Sequence, residues 1–125
     1  TGGNGVVILS KIMHVGDDAC SAGGYPVGDS RCVNRNQDVF IQQLKIGNTA
    51  VRASNFGTPT GVTYDSKQNI TDYLTNPGAR ASGVSGAITL SGSEIAFVSE
   101  ACFNTPELDI PGYRSGNSVY ARTIF

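Results

Sequence analysis

The chain has no tryptophan, one histidine and few charged residues. Charged side chains make up 15% of its 125 residues, the net charge is −1, and lysine and arginine form no cluster. Nucleic acid and anionic lipid are bound mainly through such clusters, so neither is an expected partner. No apolar run exceeds four residues, whereas a membrane-spanning helix needs about 20. We therefore expect membrane attachment only through an N-terminal helix outside these residues.

Residues that favour helices are also scarce. Gly, Pro, Ser, Thr and Asn account for 52 of the 125 residues. These types favour turns and weaken helices, which rules out a helical bundle or coiled coil. β-Branched and aromatic residues nevertheless occur in runs, as a sheet requires. We predict a single mainly β domain over residues 1–125, with an antiparallel sheet, long irregular loops and at most one short helix.

Four segments have the residue pattern of a β-strand. They are predicted at 6–15, 38–46, 94–103 and 118–125, with a weaker one at 86–90. The first is apolar on both faces, with Val6, Ile8 and Ile12 on one side and Val7, Leu9 and Met13 on the other. Such a strand needs covering on both sides. We expect only one side to be filled, by four large residues of other strands: Phe40, Leu44, Phe97 and Phe103.

Two local patterns complete the prediction of secondary structure. Phe40, Leu44 and Ile46 are expected to share one face of the second strand, because they alternate with polar residues. A short helix is predicted at 66–76, where apolar residues recur at helical spacing after Asp65 or Ser66 as the N-cap and before a proline.

The three cysteines indicate the redox compartment. Cys20 and Cys32 flank a segment of turn residues that has no core of its own, and a disulfide there would stabilise the fold by about 3 kcal/mol. We predict this bridge, and with it an oxidising compartment. Cys102 lies in a predicted strand and is expected to be buried and unpaired. The alternative is three reduced, buried cysteines in a cytosolic protein.

Residues for catalysis or metal binding are few. A catalytic triad would need His14, since no histidine follows Ser30 of the Gly-Asp-Ser segment. The chain has neither a glycine-rich phosphate cradle nor a zinc-binding pair of cysteines. We predict no enzymatic activity, no cofactor and no metal site. Calcium remains an alternative because two loops are acidic. Their residues are Asp17, Asp18, Asp29, Glu107 and Asp109.

Five segments resemble, in order, the strands and turns of TadE-like proteins. They are GVVILSKI (5–12), FIQQLKIG (40–47), ASNFGTP (53–59), EIAFVSEACF (94–103) and SVYARTIF (118–125). The family patterns are similar to VVISxV, VTWQR followed by glycine, SxxGxP, VVVxEVFY and LYxRAVF. Order and spacing match over most of the chain.

The resemblance implies a pilin-like head domain of a tight-adherence or type IV-related pilus. Such a minor pilin or pseudopilin acts in pilus assembly and surface adhesion rather than catalysis. It is extracytoplasmic, at the cell surface, in the pilus or in the periplasm. Expected partners are other pilus subunits or a pilin-type helix, in cis or in trans. The residues predicted to contact them are Val6, Ile8, Leu9, Ile12 and Met13.

Three other classes of protein remain open. One is a secreted adhesin or carbohydrate-binding β-sandwich module, for which loop aromatics could stack on sugars. Tyr25, Tyr64 and Tyr113 are the candidates. Another is a small enzyme, which would depend on His14. The last is a structural protein of another kind, such as a phage or surface-layer part.

Overall fold

Four strands form one antiparallel sheet in the computed structural model, which describes residues 3–105 and 117–125. In the sheet the order is β2-β1-β3-β4. The strands are β1 (Gly5–His14), β2 (Asp38–Gly47), β3 (Ile95–Thr105) and β4 (Asn117–Ile124). One short helix, α1 (Asp17–Ala22), and a 3₁₀ turn (Pro77–Ala79) are the remaining regular elements of the described residues. The predicted mainly β class is therefore confirmed.

One face of the sheet is covered by the irregular chain between β2 and β3. β1 directs Val6, Ile8 and Ile12 to this covered face, where each is at most 2% exposed. Loop residues Phe56 and Ile70 belong to the buried cluster that includes Ile12. Burying side chains of this size contributes about 1.5–3 kcal/mol each. The core of the molecule thus lies between this face and the loops.

A bulge in β2 changes which of its side chains enter the core. The β2 partners of two successive β1 residues are Gln42 and Phe40, which leaves Ile41 as the extra residue. Phe40 therefore lies on the covered face and is fully buried. Leu44 and Ile46 lie on the opposite face. The prediction that these three apolar residues share a face was wrong, because the bulge interrupts the alternation.

The helix predicted at 66–76 is not formed. Ile70 instead pairs with Tyr64 in an isolated bridge. The Asp65 carboxylate accepts the Asn69 N–H at 2.9 Å, which closes a local turn rather than starting a helix. The weak strand predicted at 86–90 is also absent, and turns take its place.

The disulfide between Cys20 and Cys32 is present, as predicted. It joins α1 to the following loop, and both cysteines belong to the main buried cluster. Cys102 is free and buried in β3. Within the described residues, no helix has the length and hydrophobicity of a membrane-spanning segment.

Candidate interaction surface on the open face of the sheet

The second face of the sheet, here the open face, carries alternate residues of all four strands. The strand registers define its members. Alongside the stretch of β1 from Gly5 to Lys11 they are Val7, Leu9 and Lys11 of β1, Gln42, Leu44 and Ile46 of β2, Phe97, Ser99, Ala101 and Phe103 of β3, and Val119, Ala121 and Thr123 of β4, with Phe125 just beyond it. Past Lys11 the same row continues to Met13 and Val39, which are buried, and to Ile95, which is 44% exposed. Lys11 is the one charged side chain among these positions.

Large apolar side chains of the open face are accessible to solvent. Leu9 is 38% exposed, Phe97 42% and Phe103 48%, and Phe125 reaches 70%. On the covered face, by contrast, every β1 residue from Val6 to Ile12 is at most 3% exposed. A contiguous apolar patch of this kind on a folded domain is typical of a binding surface.

A shallow groove crosses the open face near the end of β4. Its volume is about 240 Å³, and its walls include Leu9, Leu44, Phe97 and Phe125. The two phenyl rings stack with their centroids 6.0 Å apart and their planes 15° from parallel. The Lys11 ammonium lies 5.7 Å from the centroid of Phe97. The groove is therefore apolar, with one cation at its margin.

At the other end of the face, a glycine makes room for a phenyl ring. A Cβ atom built on Gly5 would lie 2.4 Å from the ring of Phe103, its partner across β1 and β3. The ring thus lies over the β1 backbone instead of standing away from the sheet. Gly5 flattens this end of the open face and extends its apolar area.

A buried carboxylate organises the covered face. Glu100 is 2% exposed. Its Oε1 accepts the Ser54 hydroxyl at 2.5 Å, and its Oε2 accepts the Asn55 N–H and the Tyr120 hydroxyl, each at 2.8 Å. Burial, and then the bond to Glu100, raise the pKa of Tyr120 to about 12. Both carboxylate oxygens accept hydrogen bonds from protein groups, so Glu100 connects the loop at Ser54 and Asn55 to the sheet. Sequence reasoning missed this network, because it assigned Phe97 and Phe103 to the filled side of the sheet and therefore placed Glu100 on the opposite side.

The candidate calcium ligands contact protein groups instead. Asp29 forms an ion pair with Arg31 at 2.6 Å, and the bonds from this residue lower the pKa of the carboxyl group to about 2. Asp17 pairs with Arg35. Asp18 accepts the Ser93 hydroxyl at 2.6 Å. No group of three potential metal ligands occurs in the part of the chain described, and Glu107 and Asp109 lie outside that part.

His14 contacts Asp38 at the end of the sheet. Its Nδ1 lies 2.9 Å from a carboxylate oxygen of Asp38, its partner residue on β2. Both side chains are 23% exposed. This contact joins the last residue of β1 to the first of β2. Ser30 lies exposed within the loop closed by the disulfide.

The five predicted contact residues are divided between the two faces. Val6, Ile8 and Ile12 are buried on the covered face, and Met13 is buried close to α1. Leu9 lies on the open face and is 38% exposed, whereas Met13, two positions beyond Lys11 in the same alternation, is buried. The contact role itself stays a prediction, and Leu9 is the member of the set that a partner can reach. Sequence reasoning assigned Leu44, Phe97 and Phe103 to the filled side, but they lie on the open face.

The loop aromatics differ in accessibility. Tyr64 is 45% exposed. Tyr25 is half-buried, with the Arg31 guanidinium 5.2 Å from its ring centroid. Tyr113 lies outside the described residues.

Comparison of this chain with protein-family models, with curated proteins and with solved structures finds no match.

Proposed function

We propose that this chain is the non-catalytic, pilin-like head of a pilus subunit, and that its open face binds an apolar helix during pilus assembly. The observation that carries the proposal is the contrast between the two faces of one sheet. The loops fill one face, while the other presents a broad apolar surface with a single charge. The order of strand motifs that resembles TadE-like proteins supports the choice of family.

The chemistry of a sheet face favours a helix as the occupant. The backbone N–H and C=O groups of β1 and β3 are used within the sheet and do not point out of its face. An occupant of this face must therefore satisfy its own backbone hydrogen bonds. A helix does so within one segment and offers an apolar stripe to the surface.

The dimensions of the open face also fit one helix. Four strands spaced about 4.8 Å apart give a surface about 14 Å wide between the outer strands. A helix with its side chains is about 10 Å in diameter. The apolar part of β1, from Gly5 to Lys11, extends over about 20 Å, which corresponds to about 13 helical residues.

The disulfide is in keeping with the proposed place of action. Cys20 and Cys32 are bonded, and such bridges persist in oxidising compartments outside the cytoplasm. A head that lies outside the inner membrane, at the cell surface or in the periplasm, meets this condition. The helix can come from the same subunit or from a neighbouring one.

Titration with a synthetic helix tests the proposal. The probe is a fluorescently labelled amphipathic peptide of about 20 residues with leucine on one face. We expect wild-type protein to bind it and Leu9→Asp to weaken binding at least about tenfold, since a charge would be buried in an apolar contact. Val27→Asp is the matched control, because Val27 is 73% exposed in a loop away from the sheet.

Two results would overturn the proposed helix docking. One is an absence of binding by the wild-type protein. The other is an equal loss of binding in Leu9→Asp and Val27→Asp, which would mean that added charge alone weakens the interaction. Circular dichroism of both variants establishes that they are folded before the titration is interpreted.

A further inference from the structure

The outer edge of β4 presents backbone groups that pair with none of the described residues. Phe97 and Phe125 exchange both backbone hydrogen bonds, at 2.7 and 2.9 Å. In an antiparallel ladder such pairs recur at every second residue. The odd-numbered residues of β4 therefore bond to β3, and residues 118, 120, 122 and 124 direct their N–H and C=O groups outward. No described residue pairs with this edge.

The opposite edge of the sheet is protected between Asp38 and Gln42, whereas β4 has no such protection from the described residues. On β2, the Ile70 N–H donates to the Ile41 carbonyl at 2.9 Å, and the Ala81 N–H donates to the Asp38 carbonyl at 2.8 Å. The bulge at Ile41 further interrupts that edge. Strand β4 has a continuous register with β3 and contains no proline. It therefore lacks two of the devices that prevent a further strand from pairing, a bulge and a proline.

We infer that the β4 edge binds the β4 edge of a second copy of this chain, in an antiparallel arrangement centred on Ala121. A two-fold axis at this residue places Tyr120 opposite the partner's Arg122, and the reverse pair follows by symmetry. All four outward residues then find partners, with about eight new backbone hydrogen bonds.

Side-chain chemistry selects this register over its neighbours. Shifting the centre to Arg122 sets two guanidinium groups directly opposite each other, which is destabilising. Shifting it to Tyr120 leaves residue 124 opposite residue 116, beyond the end of the strand. The centre at Ala121 instead pairs a cation with an aromatic ring, as Arg52 and Tyr120 already pair within one chain at 4.2 Å.

The dimer would contain one eight-stranded sheet with a continuous open face. The rows at Val119, Ala121 and Thr123 would continue from one copy into the next on the same side. This inference goes beyond helix docking and does not depend on it. The edge uses backbone groups of β4, whereas the docking surface uses side chains of the open face.

Amide hydrogen exchange at two protein concentrations tests the inference within one molecule. Spectra are recorded at about 5 µM and about 1 mM, which separates a weak dimer from its monomer. We expect the amides of Tyr120, Arg122 and Ile124 to exchange at least about tenfold more slowly at the higher concentration. The amides of Ala121 and Thr123, bonded to β3, serve as internal controls and should be protected at both.

Three outcomes would overturn the inference. The outward amides could exchange rapidly at both concentrations, or they could be protected at both, which would mean that the edge is covered within one chain. Sedimentation could also show a dimer in which these amides stay unprotected. That dimer would form through another surface, and its sensitivity to Leu9→Asp would assign it to the open face.

A pair of variants checks the same edge by sedimentation. Arg122→Pro removes an outward N–H and leaves the N–H groups that bond to β3 in place. Arg122→Ala removes the side chain and keeps that N–H. We expect the proline to lower the dimerisation constant at least about tenfold and the alanine to lower it less. Equal dimerisation constants for the proline variant and the wild type would contradict the edge pairing.

Discussion

Both faces of β1 carry large aliphatic side chains, but the two faces differ in their exposure to solvent. Val6 and Ile8 are 1% and 2% exposed, while their neighbour Leu9 is 38% exposed. The difference comes from the loops between β2 and β3, which cover the side of β1 that carries Val6 and Ile8 and leave the side of Leu9 open. The apolar residues of a strand therefore indicate that its faces need to be buried. Which face is buried depends on where the rest of the chain packs. The side left uncovered is the one available to a partner.

The largest expected effect is a difference in stability between alanine variants of two phenylalanines on opposite faces of the sheet. Phe40→Ala should lower the free energy of unfolding by about 3–5 kcal/mol, because it leaves a cavity in a fully buried site. Phe103→Ala removes a ring that is half exposed and should cost less than about 1 kcal/mol. Urea unfolding of both variants measures the difference. Equal losses would show that the open face is part of the core.

The disulfide should rank next, since it holds α1 and its loop in the buried cluster. Replacing both Cys20 and Cys32 by serine should destabilise the domain by about 3 kcal/mol. Thermal or urea unfolding with and without reductant provides the measurement. Cys102→Ala should retain the difference between oxidised and reduced protein. A digest in which Cys102 is bonded to either of the other cysteines would refute this pairing.

The Glu100 network should show a smaller effect that is confined to the covered face. Glu100→Gln replaces two acceptor oxygens by one and adds donors near the Ser54 and Tyr120 hydroxyls. We expect a loss of about 2 kcal/mol in urea unfolding. Glu94→Gln, at an exposed position, is the control and should change stability little. Stability unchanged in Glu100→Gln would mean that the buried bonds contribute nothing net.

The smallest effect is a pH dependence on the alkaline side. The phenol of Tyr120 ionises near pH 10 in the unfolded chain, whereas its pKa is about 12 in the folded protein. Between these values the folded state binds more protons, so stability falls as pH rises. Tyr120→Phe should make the slope of unfolding free energy against pH shallower over this range. An unchanged slope would argue against the Tyr120–Glu100 contact.

The strands were predictable because each is a run of residues that favour strands, and the last three also alternate apolar with polar residues. All four begin and end within two residues of the predicted positions. The face on which Phe40 lies was not predictable, because nothing in the sequence marks the bulge at Ile41 that interrupts the alternation in the structure. Such an irregularity is determined by pairing with β1, which lies far away in the sequence.

The loops that cover one face could not be predicted in the same way. Asn34 is fully buried, and its amide donates to the carbonyls of Tyr73 and Asn76, each at 2.7 Å. Gln43 likewise donates to the Gly57 carbonyl at 3.1 Å. These bonds join distant segments through single polar side chains and have no sequence period. The choice of covered face depends on them.

The most direct test of helix docking is whether a helix protects the open face from chemical labelling. Ser99→Cys places a thiol on this face, Val27→Cys places one on an exposed loop, and both are made with Cys102→Ala. Maleimide labelling is timed with and without the amphipathic helix peptide. We expect the peptide to slow labelling at position 99 at least about tenfold and to leave the rate at position 27 unchanged. Equal labelling rates at position 99 with and without a saturating excess of peptide would contradict it.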